Sequence, residues 1–212
     1  MGNFLSRSAL SSLAIAALLI TGCSQSATPA NDVQAAATNP SGLPALVSAK
    51  TAFGPMYKSA LAWSPDIQFI TLAPQDLPGF TNAAGKAAMW EATFASPSKH
   101  QYRVYSYSIA TVQPEIHKGT SANFAEPWAG ASRDAMPIDL SFFTVDSDAA
   151  YQAASTEGAA WLAKNPGKNL SSLQLASTYR FQAPVWYISW GDKKNGYVAF
   201  VDATSGKIYK SK

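Results

Sequence analysis

Two tryptophan-anchored stretches constrain the fold of this chain more than any other feature. Trp90-Glu91-Ala92-Thr93-Phe94 and Trp186-Tyr187-Ile188-Ser189-Trp190 carry large aromatic groups at the same spacing, and one offset superimposes both pairs. Recurrence of this kind is the signature of a duplicated structural unit. In each stretch one face is strongly apolar and the other mixed, as in a strand covered on one side.

The surrounding patterns recur in the same order. From Leu43 to Trp63 the chain is alanine-rich, with Ala49, Ala52, Met56, Ala60 and Trp63 at helical spacing, and Gly54-Pro55 predicts a kink or a restart. β-Branched and aromatic runs follow at Ile67 to Leu72, Ala87 to Phe94 and Tyr102 to Ala110. In the second half Asp146-Ser147-Asp148 supplies N-cap candidates, and Ala150, Ala154, Gly158 and Trp161 continue one helical face until Asn165-Pro166-Gly167 stops it. Strand patterns then occupy Leu170 to Leu175, Ala183 to Trp190 and Tyr197 to Ala203. Tyr197 and Phe200 align with Tyr102 and Tyr105 one residue short of the tryptophan offset.

The expected fold is therefore α+β: two repeated units, each a helix packed on a small antiparallel three-stranded sheet. The units span 43–112 and 146–212 and are joined by a connector over 113–145. Asp192-Lys193-Lys194-Asn195-Gly196 reads as a hairpin loop, with Asn-Gly suited to positive φ. Ser96-Pro97-Ser98-Lys99-His100 takes the equivalent place in the first unit. The connector carries Phe124, Trp128, Phe142 and Phe143, so it is expected to lie ordered across both units.

The segment from Ala183 to Trp190, followed by Tyr197-Val198-Ala199-Phe200-Val201-Asp202-Ala203-Thr204-Ser205-Gly206-Lys207-Ile208, resembles the C-terminal part of a PepSY domain. That family ends in a strand, a hairpin and a strand closing on an Asp-Ala-x-x-Gly turn. The resemblance runs from Asp148 to Lys210 and, more loosely, from Leu43 to Ile109. The first unit has Tyr107-Ser108-Ile109-Ala110 where the closing turn belongs. What the resemblance implies is a non-catalytic module that binds or inhibits peptidases, or senses through partners.

Location is read from the other end of the chain. Arg7, an apolar run from Ala9 to Ile20 and the small residues before Cys23 have the layout of a secretory signal over 1–22. The apolar run is shorter than the roughly 20 residues a spanning helix needs. Leu19-Ile20-Thr21-Gly22-Cys23 resembles the lipobox of bacterial lipoproteins, which implies acylation of Cys23, by palmitate among other chains, and attachment to a membrane. Ser24 stands where an aspartate would signal inner-membrane retention, so the resemblance implies the outer membrane, on its periplasmic side. Residues 23–42 have a polar, small-residue composition without aromatic side chains and read as a flexible tether.

Cys23 is the one cysteine, so the exported fold is expected to stand without disulfides, and cysteine nucleophiles and cysteine–zinc sites are excluded. A net charge of +3 points to no nucleic-acid partner. His100 and His117 fall in a hairpin loop and in the connector, outside any metal-ligand spacing, and no Gly-x-Ser-x-Gly is present. Asp146 and Asp148 are expected to cap a helix and Asp202 to form a turn, while Lys99, Lys193 and Lys194 read as solvated charges. Neither a catalytic centre nor a metal or cofactor site is expected. Arg103, Tyr105, Tyr107 and Tyr187 form the candidate binding surface, as an exposed aromatic patch for a peptide or glycan. The expected function is a binding or regulatory lipoprotein with an envelope protein or peptide as ligand. The alternatives are a structural or assembly lipoprotein and an envelope hydrolase.

Overall fold

Helical spacing and strand alternation resolve as follows in the computed structural model, which describes residues 42–209. The expected signal segment over 1–22, Cys23 and the tether up to residue 41 lie outside the described residues. The elements are α1 (Ala49–Trp63), β1 (Gln68–Gln75), β2 (Met89–Ser96), β3 (Gln101–Ser108), β4 (Gly119–Ala122) and β5 (Glu126–Pro127). After a single 3-10 turn at Leu140–Phe142 come α2 (Ser147–Glu157), α3 (Ala159–Lys164), β6 (Leu170–Ala176), β7 (Val185–Gly191), β8 (Gly196–Asp202) and β9 (Ile208–Tyr209).

The fold is α+β, with few helices on one large antiparallel sheet. Where two small sheets were expected, a single nine-stranded sheet runs in the order β4-β3-β2-β1-β6-β7-β8-β9, with β5 alongside β3. The halves merge because β1 and β6 pair with each other, at Thr71–Ala176 and Leu72–Leu175. Two separate sheets would each present an inner edge of unpaired backbone groups; joining them removes part of that edge.

The main core lies under α1 and α2. Trp90, Ala92 and Phe94 of β2, Trp186, Ile188 and Trp190 of β7, and Leu72 and Leu175 at the join are buried together with Met56, Ala60, Ala150 and Ala154 from the helices. Small helical residues let the backbone approach the sheet closely, and the indole rings fill the space.

The two halves share local geometry. Trp90 donates its indole N–H to the Val47 carbonyl at 3.0 Å, and Trp186 donates to the Val145 carbonyl at 3.0 Å. Both acceptors stand just before a helix. Each half also places a β-bulge at the same point of its first strand, between Phe69 and Thr71 and between Leu170 and Ser172. The start of α1 is capped by the other half: Ser147 Oγ accepts from the Ala49 amide at 2.9 Å and Asp146 Oδ1 from the Lys50 amide at 3.0 Å.

Several details differ from expectation. α1 runs through Gly54-Pro55, because both are exposed and the bond lost at the proline lies on the solvent side. The helix expected to run on to Asn165 breaks at Gly158, where a Cβ would meet the Tyr197 ring at 2.7 Å. Alanine for glycine within a helix ordinarily gains up to about 1 kcal/mol. Gly158→Ala is expected to lose about 1–3 kcal/mol instead, the cost of overpacking, read as a lower midpoint in urea unfolding. In the β7–β8 hairpin, positive φ falls on Gly191, while the Asp192 carboxylate accepts from the amides of Lys194 and Asn195. Within the connector, β4 and β5 pair with β3.

Candidate functional site

The β1–β6 join is short, and its two ends differ. At one end the connector fills the gap: the Ile138 amide donates to the Phe69 carbonyl at 2.7 Å, and the Met136 amide donates to the Ser177 carbonyl at 3.0 Å. At the other end, beyond Leu72–Leu175, the strands part and a cleft of about 860 Å³ opens. Tyr151 of α2, Leu162 of α3 and Trp190 of β7 lie along its helix side, and Gln75, Ser172 and Gln174 along its rim. Asp76 and Lys168 are its two charged residues, of opposite sign.

The parting has local causes. Pro74 has no N–H, so β1 cannot donate to a neighbour at that position. Asn82 draws the following loop back over the strand: its side-chain amide donates to the Gln75 carbonyl at 3.1 Å and its oxygen accepts from the Ala88 amide at 3.2 Å. The loop tip rests on the start of α2 through Gly85, whose φ is +77° and whose Cβ, if present, would lie 2.4 Å from the Ser147 carbonyl oxygen. Lys86 and Asp148 add an ion pair at 3.6 Å, partly exposed on both sides. On the β6 side of the cleft Lys168 meets Asp192 at 3.0 Å. The Asn195 amide, Lys168 and the Lys194 amide together hold the Asp192 carboxyl down at about 2.

The four residues expected to form one exposed patch do not do so. The pairing of Trp90 with Tyr107 and of Ala92 with Tyr105 turns Arg103, Tyr105 and Tyr107 to the helix side. Tyr105 is buried, and burial pushes its phenol up. Arg103 is half-buried, with its guanidinium 5.2 Å from the Trp63 ring. Tyr187 lies in β7 on the opposite face, 5.4 Å from Phe200, and so is separated from the other three by the sheet. Tyr105 stands opposite Ala92 as Ala199 stands opposite Ile188, so Tyr105 corresponds to Ala199 and not to Phe200, and one residue along a strand exchanges its faces. Cys23 lies outside the described residues.

Tyr187 does belong to an aromatic group on the outer face. The Phe181 ring packs at a tilt against Phe200 at 5.0 Å and against Tyr209 at 4.9 Å. Asp202 forms the expected turn, accepting from the Thr204 and Ser205 amides, and also accepts from the Tyr209 hydroxyl at 2.8 Å. Burial, that hydrogen bond and the carboxylate charge push the Tyr209 phenol up to about 12, from an ordinary 10.0. Because the folded value is the raised one, the contribution of Tyr209 to stability is intact below about pH 10 and is lost as pH rises through about 12. A spectrophotometric titration is expected to include a step near pH 12 from Tyr209 in the native protein, and Tyr209→Phe is expected to reduce the amplitude there by one tyrosine.

His100 and His117 are both exposed, and among the described residues neither imidazole has a hydrogen-bond partner. Asp66 accepts from Ser64, Ser96 and the Ser98 amide, and these bonds hold its carboxyl far below the usual range. This cluster ties the end of α1 to the β2–β3 hairpin. The cleft itself was not foreseen in the sequence. Pro74, directly after a strand-like run, is the signal that marked it.

No protein-family model matches the chain. No curated protein matches it either. Among solved structures the chain is similar to a “putative lipoprotein” of Clostridium difficile 630, with 14% identity and a TM-score of 0.49, over 75% of this chain and 90% of that one.

Proposed function

We propose that this chain is a non-catalytic lipoprotein of the cell envelope, whose folded part is a PepSY-like binding or regulatory module and, as one form of that role, modulates a peptidase. The observation that carries the binding role is the cleft at the centre of the sheet, with aromatic and aliphatic side chains along one wall and amides and hydroxyls at its rim. A preformed concavity with an apolar wall and a few polar groups is the usual form of a binding site. The matching indole bonds and bulges support reading the halves as two copies of one PepSY-like unit. The anchor rests on Leu19 to Cys23, and the outer membrane facing the periplasm is the placement that Ser24 favours.

The test is acylation of the full chain expressed in a bacterium supplied with an alkyne-tagged palmitate. The wild type is expected to take up the tag and sediment with membranes. Cys23→Ala is expected to carry no tag and to leave the acylated membrane fraction. Equal labelling of the two proteins contradicts the reading.

A further inference from the structure

We infer that the cleft takes an extended peptide segment of a partner protein, added as a strand along the β6 edge from Leu170 to Gln174. The inference rests on the binding-module reading above and specifies its ligand and site.

The occupant is indicated by the other end of the same join. Where β1 and β6 part near Phe69 and Ser177, the gap is closed by an extended piece of this chain, Met136 to Ile138, hydrogen-bonded to both sides. The open end presents the same kind of backbone margin. β6 pairs with β7 along one side from Leu170 to Ala176, whereas its ladder to β1 holds only Thr71–Ala176 and Leu72–Leu175. The margin from Leu170 to Gln174 therefore faces the cleft. At about 3.3 Å per residue it offers a template about 15 Å long.

The β6 side is the better template of the two. On the β1 side Pro74 has no amide to offer and the Gln75 carbonyl is already bonded to Asn82. Strand addition supplies affinity through main-chain bonds and specificity through alternate side chains. Here alternate side chains of the peptide point to Tyr151, Leu162 and Trp190, and the others point to the opposite face. Among the described residues Asp76 and Lys168 are the charges lining the cleft, of opposite sign, so it suits a segment of alternating apolar and uncharged polar residues rather than a strongly charged one.

The test uses the full-length acylated protein in detergent micelles and a fluorescent, end-capped octapeptide alternating valine and threonine. Saturable binding is expected by anisotropy, with slowed amide exchange confined to the stretch from Leu170 to Gln174. An N-methyl group on alternate amides of the peptide is expected to weaken binding about tenfold or more, equivalent to about 1.4 kcal/mol. Ala83→Trp, at an exposed lip position, is expected to weaken it as much, and Lys58→Trp on the solvent side of α1 to leave it unchanged. Absence of binding, equal binding of the N-methylated peptide, or protection elsewhere on the sheet overturns the inference. The acyl mass on Cys23, measured on the same sample, reports on the lipoprotein reading separately.

Discussion

Trp186→Ala is expected to lower folding stability by about 3–5 kcal/mol, the range for removing a large buried aromatic side chain. The ring is fully buried beneath α2, and its indole N–H satisfies the Val145 carbonyl at 3.0 Å, so truncation leaves both a cavity and an unpaired acceptor. Domains of this kind have a total stability of about 5–15 kcal/mol. Trp90→Ala is expected to cost a similar amount, because Trp90 is equally buried and bonds to Val47 in the same way. A single core spans both halves, so each variant is expected to unfold in one transition, with the far-ultraviolet dichroism of the whole sheet lost together. Urea titration checks both statements. Two separated transitions, one per half, contradict a shared core.

Gly85→Ala is expected to have the second large effect. A left-handed conformation costs a non-glycine residue about 1–3 kcal/mol, and here the added Cβ also falls 2.4 Å from the Ser147 carbonyl oxygen and 2.7 Å from the Asp148 Cα. Both are backbone atoms at the start of a helix and cannot swing aside. The loop must lift, carrying Lys86 away from Asp148 and uncovering the wall of the cleft that it forms. The expected result is a loss of at least about 2 kcal/mol in urea unfolding. Proteolytic cutting between Leu77 and Lys86 is expected to quicken as well. A variant with wild-type stability and cutting rate contradicts this packing.

What the sequence revealed follows from which interactions are local. The helical faces of Ala49 to Ala60 and Ala150 to Ala154, the strand alternation around Trp90 and Trp186, and the Asp202 turn are all set within a few residues, and each is found where the patterns placed it. The merger of the halves is not local. It depends on Leu72 meeting Leu175, and no pattern in either strand states its partner. The candidate surface failed for a related reason: β3 alternates too evenly between tyrosine and small or polar residues for its buried face to be told from its exposed one, and the register with Trp90 decides it. The cleft depends on Pro74, whose missing N–H matters only because a strand lies opposite, and on the loop that Asn82 draws back over β1. The need for glycine at position 158 likewise depends on a ring brought there by β8.

The middle of the sheet holds an open strand margin along β6. Amide hydrogen exchange of the unliganded protein, resolved by residue along β6, tests it most directly. The amides of Leu170 to Gln174 that point away from β7 are expected to exchange as quickly as those of an outer strand, while those of β2 and β7 stay protected. Slow exchange along all of β6, equal to that of β7, would mean that the margin is closed in solution and would contradict the account.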